Sequence, residues 1–144
     1  MDQQDFEKLK QCAIGNLRKT SRAATLFGDT VLQPSGLKVT QFTMLGAIAE
    51  QGSLAVGQLA EKMLMDQTSV TRSLKLLKEM GLVKSVRGRD GRTRLISLTP
   101  EGDRKLDEIM PLWEQTYARI AAKLGQEHLD RLLAELDHVN KTLR

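Results

Sequence analysis

One segment of the chain combines hydrogen-bonding and cationic side chains at the spacing of a helix face. Its members, two at the entry and four at helical spacing, are Gln67, Ser69, Thr68, Thr71, Arg72 and Lys75. Arginine and lysine can bind guanine O6 and N7, glutamine can bind adenine, and threonine offers a hydroxyl and a methyl group. No acid appears on this face before Glu79. The face therefore suits the major groove of duplex DNA, although taken alone it fits an ordinary solvated helix face equally well.

A second cluster follows in a glycine-containing segment and is rich in arginine. Its four arginines are Arg87, Arg89, Arg92 and Arg94. A small solvated loop gains nothing from such mutual repulsion, whereas a phosphate backbone removes it and a narrow minor groove attracts arginine. We expect Asp90, the acid within this cluster, to pair with a neighbouring arginine and to shape the loop rather than contact DNA. The two clusters together favour double-stranded DNA as the partner.

The composition excludes several other classes of protein. Aromatic residues make up 3% of the 144 residues, which argues against stacking of single-stranded bases. With Cys12 as the only cysteine, an intrachain disulfide and a cysteine-rich zinc site are both excluded by count, and we expect no metal and no cofactor. No catalytic triad, paired carboxylates or phosphate-binding loop is present, so the sequence gives no support to an enzyme.

The beginning of the chain is polar and acidic, and no run of about eighteen apolar residues exists. We therefore expect no membrane segment and a cytoplasmic protein.

Apolar periodicity predicts four helices before the arginine cluster. The first is expected to run unbroken over residues 5–32. The second begins between Lys38 and Thr40, with Thr40 as candidate N-cap, and the third spans Val56–Met63. The fourth has Asp66 as N-cap and Gly81 just after its end. The side chains expected to face the core from the second and fourth helices are Phe42, Leu45, Ile48, Ala49, Val70, Leu74, Leu77 and Met80.

Two β-prone segments, Leu82–Arg87 and Arg94–Thr99, then predict a hairpin whose loop contains Asp90-Gly91. Thr99 as N-cap and Pro100 at the first helical position start a fifth helix, which Pro111 should bend. A last helix follows Gly125. The order predicts a mainly α (α+β) fold with a winged helix-turn-helix core.

The long first helix and the two last helices carry apolar stripes too long for the small middle core to cover. A second copy of the chain is the simplest partner for them. We therefore predict an N-terminal dimerisation helix (1–36), a winged helix-turn-helix DNA-binding domain (37–99) and C-terminal dimerisation helices (100–144).

These residues resemble the multiple-antibiotic-resistance repressor (MarR) family over most of the chain, from about residue 10 to residue 140. The matching stretches are Val56-Gly57-Gln58-Leu59-Ala60, Thr68-Ser69-Val70-Thr71-Arg72, Gly81-Leu82-Val83, Asp90-Gly91-Arg92 and Leu98-Thr99-Pro100-Glu101-Gly102. The Asp-x-Arg wing followed by Leu-Thr-Pro-Glu-Gly is the most specific of them. Lys38 and Arg94 depart from the family pattern, which often has threonine and an apolar residue at these positions.

The resemblance implies a two-fold homodimer that places two wings on a pseudo-palindromic operator. It implies repression of transcription, with release of DNA by a small phenolic or amphipathic ligand or by cysteine oxidation. The family's minor-groove arginine corresponds to Arg92. Its recognition-helix contacts correspond to Thr68, Ser69, Thr71, Arg72 and Lys75.

Three less specific features have alternative explanations. Cys12 matches the helix that carries a reactive cysteine in redox-sensing relatives, but we favour a packed apolar role. His128 and His138 are expected at the surface or an interface rather than on a metal. A winged-helix protein-protein interaction module, binding an acidic protein surface, and a purely helical dimerisation adaptor remain the rival functions.

Overall fold

The computed structural model describes residues 2–143, which form seven α-helices and one three-stranded antiparallel sheet. In chain order, with a 3-10 turn at Gln33–Ser35 after the second helix, the elements are α1 (Gln3–Lys10), α2 (Ala13–Leu32), α3 (Val39–Gln51), β1 (Leu54–Ala55), α4 (Val56–Met63), α5 (Gln67–Glu79), β2 (Val83–Arg87), β3 (Arg94–Leu98), α6 (Pro100–Leu124) and α7 (Gln126–Thr142). This order confirms the predicted winged helix-turn-helix core with long flanking helices. The chain forms two compact units that divide between Ile109 and Met110, within α6.

The N-terminal segment forms two helices where the sequence predicted one. α1 ends at Lys10 and α2 begins at Ala13. The side-chain amide of Asn16 donates to the carbonyl groups of Lys10 at 2.9 Å and Cys12 at 3.0 Å. The bond to Lys10 occupies a carbonyl group that the end of α1 leaves without a helical partner, whereas the Cys12 carbonyl also accepts the Asn16 backbone N–H at 3.0 Å. The prediction of one continuous helix was wrong because apolar spacing continues across a break that polar capping creates.

The start of α3 is held by a residue from another helix, and the prediction of Thr40 as its N-cap was wrong. Asp29 of α2 accepts the Val39 N–H through Oδ1 at 2.8 Å, and its Oδ2 lies 3.4 Å from the Lys38 ammonium. The Gln41 side chain accepts the Lys38 N–H at 2.9 Å. Thr40 lies inside the first turn, where its hydroxyl is not needed for capping. This arrangement joins α2 to the winged helix-turn-helix core.

The core of the first unit forms between α3, α4, α5 and the sheet. Its buried side chains include Leu45, Ile48, Leu59, Val70, Leu77 and Ile96. Two residues predicted for this core lie outside it. Ala49 is exposed because it lies in the last turn of α3, which ends at Gln51. Met80 is 42% exposed because it is the C-cap of α5, where the helical periodicity ends.

The sheet has the strand order β1-β3-β2. β2 and β3 form the predicted hairpin, in register from Val83 opposite Leu98 to Arg87 opposite Arg94. β1 was not predicted, since a two-residue strand shows no periodicity, yet it pairs Leu54 with Ile96 on the other edge of β3. β3 is thereby the central strand, and β1 joins its loop-side half to the core. Within residues 2–143, no helix has the length and apolar character needed to cross a membrane.

Candidate nucleic-acid interface

α5 is fixed at its start by a cap and along its length by a buried stripe. Asp66 confirms the predicted N-cap: its Oδ1 accepts the Ser69 N–H at 2.8 Å and its Oδ2 accepts the Ser69 hydroxyl at 2.7 Å. The Ser69 hydroxyl and then its amide lower the pKa of the Asp66 carboxyl. Val70, Leu74 and Leu77 are buried as predicted. Ser69 is therefore engaged in the cap, and its hydroxyl can offer only acceptor capacity to DNA.

The opposite side of α5 forms an open concave surface, which we call the α5 face. It is lined by Gln67, Thr68, Thr71, Arg72 and Lys75. The fold thus brings together all but Ser69 of the residues predicted on this helix. Lys75 lies 4.0 Å from Glu79 at the far end of the face. Within residues 2–143, Arg72 has no acidic partner, so its charge is available to an external anion.

Gln67 lies at the entry to α5, against the first turn of α4. A Cβ atom built on Gly57 would lie 3.4 Å from the Gln67 side-chain nitrogen. A side chain at Gly57 would therefore meet the Gln67 amide at ordinary van der Waals distance, so the Gln67 side chain lies beside the start of α4. This contact leaves no signal in the sequence beyond the spacing of the Val-Gly-Gln-Leu-Ala stretch.

The wing, which we define as residues 83–98, carries charge that the described chain does not compensate. Arg87 lies directly opposite Arg94 across the hairpin. Like charges in this position destabilise a sheet. Arg89 and Arg92 lie in the loop between the strands, and all four arginines are exposed. None of them has an acidic side chain within ion-pair distance in the part of the chain that the structure describes, so an anionic partner would remove a real repulsion.

The loop of the wing is shaped by Asp90, but not in the way that the sequence suggested. Asp90 Oδ1 accepts the Arg92 N–H at 3.0 Å and the Thr93 N–H at 2.8 Å, and its Oδ2 accepts the Thr93 hydroxyl. The Thr93 hydroxyl, followed by these two amides, lowers the pKa of Asp90. The expected pair with an arginine side chain was wrong, because the carboxylate is used by the turn itself. The guanidinium of Arg92 is left exposed.

A second open concavity, beside the loop of the wing, was not predicted from the sequence. It is lined by Ala55, Gln58, Gly88, Arg89, Asp90, Thr93 and Leu95. Gln58 accepts the Ala55 N–H at 2.8 Å and so caps α4 beside this surface. Its lining residue from α4, Gln58, belongs to the family-like stretch of that helix, which is the signal for this surface in the sequence.

The remaining candidates lie away from these surfaces. Cys12 is half-buried at the junction of α1 and α2, as the N-cap residue of α2, rather than on the face of a continuous helix. His128 and His138 are both exposed on α7.

A capped helix with a polar, cationic outer face, followed by an arginine-rich hairpin, defines a winged helix-turn-helix protein that binds DNA. Comparison with known proteins supports this class. The sequence profile of the MarR family matches residues 35–93. The HTH-type transcriptional regulator FarR of Neisseria gonorrhoeae is 30% identical over 134 residues, 90% of this chain and 91% of FarR.

Solved structures extend the similarity to nearly the whole chain. The transcriptional regulator MosR of M. tuberculosis, solved in complex with DNA, is 31% identical with a TM-score of 0.76, over 92% of this chain and 98% of MosR. A MarR family transcriptional regulator from Silicibacter pomeroyi is 25% identical with a TM-score of 0.77, over 96% of this chain and 93% of that one.

The chain belongs to the MarR family of transcriptional regulators. Its relatives are DNA-binding regulators and not enzymes, and it is accordingly a DNA-binding transcriptional regulator.

Proposed function

We propose that this protein is a homodimeric repressor that reads a pseudo-palindromic operator with the α5 face and the wing. The observation that carries the proposal is the α5 face itself. The same helix that buries Val70, Leu74 and Leu77 presents an outer surface with hydrogen-bonding groups and an unpaired Arg72. Such a surface can bind base edges in a major groove.

In this proposal the α5 face specifies sequence. Arg72 and Lys75 bind guanine edges or phosphate, Gln67 binds adenine, and Thr68 and Thr71 contact either base edges or thymine methyl groups. Ser69 contributes only as an acceptor, since its hydroxyl proton and its backbone N–H are both held by Asp66. Backbone N–H groups at the start of α5 lie against a phosphate.

The wing mainly supplies affinity and reads groove shape. Arg92 enters the minor groove, where the turn bonds of Asp90 fix the loop that carries it. Arg87, Arg89 and Arg94 neutralise phosphates, and their mutual repulsion falls as condensed counterions are released from the DNA.

The homodimer is supported by apolar side chains that the single chain leaves in solvent. On α1 and α2, Leu9 is 61% exposed and Leu26 is 69% exposed. On α7, Leu132, Leu133 and Leu136 form a stripe of which more than a third is exposed. Large apolar surfaces of this kind mark protein interfaces. Two copies would place two α5 faces about 34–36 Å apart on one side of a duplex.

Repression and its relief complete the proposal. The Bacillus subtilis relative MdtR, 28% identical over 99 residues, is named a transcriptional repressor. For release of DNA we favour a small amphipathic or phenolic ligand over oxidation, because Cys12 is half-buried and has no second cysteine in the sequence. Peroxide should then leave DNA binding unchanged. A peroxide-dependent loss of binding that Cys12→Ser abolishes would assign release to oxidation instead.

Selection of bound sequences from random duplexes tests DNA reading and symmetry together. We expect an inverted repeat with half-sites about one helical turn apart. On that duplex, Arg72→Ala and Arg92→Ala should each weaken binding by about 1–3 kcal/mol. Arg104→Ala is the matched control, because Arg104 is exposed but already paired with Glu101. If both test variants bound as tightly as the control, the assignment of the α5 face and the wing would be wrong.

The dimer has its own test on α7. Leu136→Glu, on the apolar stripe, should shift the protein towards monomer in sedimentation and weaken binding to the full inverted repeat. Ala134→Glu adds the same charge about 160° around the helix from Leu136 and should leave the dimer intact. Equal behaviour of the two variants would contradict an α7 interface.

A protein-protein interaction module is the remaining alternative. It predicts no inverted repeat in the selection and no steep decrease of duplex affinity with salt. The wing arginines and the α5 face together favour DNA, because the α5 face combines cationic groups with hydrogen-bonding groups that suit base edges.

A further inference from the structure

Thr99, between the wing and α6, joins three elements through a single residue. Its backbone N–H donates to the Leu82 carbonyl at 3.0 Å. Its hydroxyl donates to the Gly81 carbonyl at 2.6 Å and accepts the Gly102 N–H at 3.0 Å. The bond to Gly102 is the N-cap of α6 that the sequence predicted. The bonds to Gly81 and Leu82 are not part of any cap of α6.

Gly81 and Leu82 form the turn by which α5 passes into the wing. Gly81, at φ 73°, follows the C-cap of α5 as predicted, and its N–H donates to Lys78 at 2.9 Å. The Leu82 N–H donates to Leu77 at 2.9 Å, so the turn is bonded back to the last turns of α5. Thr99 therefore bonds the end of β3 to the end of the helix that carries the α5 face.

The turn at Gly81 and Leu82 packs so closely against Gly102 of α6 that no side chain fits between them. A Cβ atom at Gly102 would lie 2.1 Å from the Leu82 carbonyl oxygen. Real Cβ atoms do not approach an oxygen so closely, and only glycine fits without movement. β3 is thus held at two places, by the two-residue strand β1 at Leu95 and Ile96 and by this junction at its end.

We propose that the Thr99 hydroxyl is a positioning group that sets the spacing between the α5 face and Arg92 for simultaneous contact with one duplex. A small rotation of the hairpin at its base becomes a larger displacement at its tip. A five-residue strand is about 17 Å long, so a rotation of about 5° moves the tip by about 1.5 Å. The bond from Thr99 to Gly81 opposes that rotation at the pivot. A wing fixed before binding also loses less conformational entropy on contact with DNA.

This inference rests on the proposed function of Arg92, and a double-mutant cycle tests it. Thr99→Ser keeps both hydroxyl bonds, Thr99→Val loses both, and Thr99→Asp keeps a good N-cap acceptor for Gly102 but loses the donor to Gly81. Each variant is made with and without Arg92→Ala, and duplex affinity is measured on the selected operator. The comparison within each background cancels any uniform effect of the aspartate charge.

We expect Arg92→Ala to weaken binding about tenfold in the wild type and in Thr99→Ser. In Thr99→Val and in Thr99→Asp the same change should weaken it by about threefold or less, because the displaced arginine contributes less. Thermal unfolding should show Thr99→Asp less destabilised than Thr99→Val, because it keeps the cap of α6, and this difference separates positioning from helix capping.

Equal penalties in all four backgrounds would contradict the positioning role while leaving the proposed function intact. A reduced penalty in Thr99→Val alone would assign the effect to the cap, and would overturn the inference too. No penalty in the wild type would contradict the role of Arg92 itself, and with it this inference.

Discussion

Replacing Gly102 with alanine should destabilise the protein, although alanine is the better helix former. The new Cβ atom would lie 2.1 Å from the Leu82 oxygen and 3.1 Å from its carbon. Contact distances below 3.0 Å are essentially never seen for real Cβ atoms, so about 1 Å of movement is required. The Leu82 carbonyl cannot move freely, because it accepts the Thr99 N–H at 3.0 Å.

The size of the effect follows from two opposing contributions. Overpacking of this kind costs about 1–3 kcal/mol, and the gain in helix propensity returns about 0.5–1 kcal/mol. We therefore expect a net loss of about 1–2 kcal/mol in the free energy of unfolding, or a decrease of roughly 3–8 °C in Tm for a chain of this size.

Gly46→Ala is the matched control, since Gly46 lies within α3 and a Cβ atom there would meet nothing within 4 Å. It should raise stability by about 0.4–1 kcal/mol. Both variants should be melted at one protein concentration, because the Tm of the proposed homodimer would depend on concentration. If Gly102→Ala were as stable as Gly46→Ala, the close approach of α6 to Leu82 would not be a packing constraint.

Asp29→Ala should lower the free energy of unfolding by about 1 kcal/mol, the usual contribution of a helix N-cap. Asp29→Asn keeps an acceptor for the Val39 N–H and should lose less; equal losses in denaturant unfolding would contradict the distant cap. Leu64 has a left-handed φ of 50°, which costs about 1–2 kcal/mol for a residue other than glycine. Leu64→Gly should therefore raise Tm, after about 0.5–1 kcal/mol of added chain entropy, and a lower Tm would refute this account of the turn. Asp66 and Asp90 have pKa values held below their usual 3.8, so their turn bonds are complete above that pH and are lost only as the pH falls through the lower folded-state values. Their side-chain carboxyl resonances should titrate with midpoints below 3.8, and higher midpoints would show that the bonds do not form in solution.

Local chemistry explains why most of the core fold could be predicted from the sequence. Asp66, Gly81 and Thr99 each cap or end a helix through bonds to residues a few positions away, so the local sequence is enough to predict their roles. The features that could not be predicted depend on distant residues. The cap of α3 comes from Asp29, ten positions before it. The strand β1 exists only because it pairs with β3, which lies about forty residues later.

The candidate site divides in the same way. The residues of the α5 face could be found because helical spacing alone places them together. The partner of Asp90 could not be found, because a turn carboxylate can bind an arginine or the backbone N–H groups of its own turn, and composition does not distinguish the two. The contact between Gly102 and Leu82 leaves no signal except the glycine itself.

The two kinds of surface that the single chain leaves without a partner specify different partners. Arg87 opposite Arg94 is an unfavourable like-charge pair that an anion relieves, and Arg72, which has no acidic partner within residues 2–143, is free to bind one. The exposed leucines of α2 and α7 are relieved only by an apolar surface. One α5 face spans only a few base pairs, too few to select one site among many. In the proposed homodimer the apolar surfaces would join two copies, which doubles the length of sequence that is read and makes the second contact with DNA intramolecular.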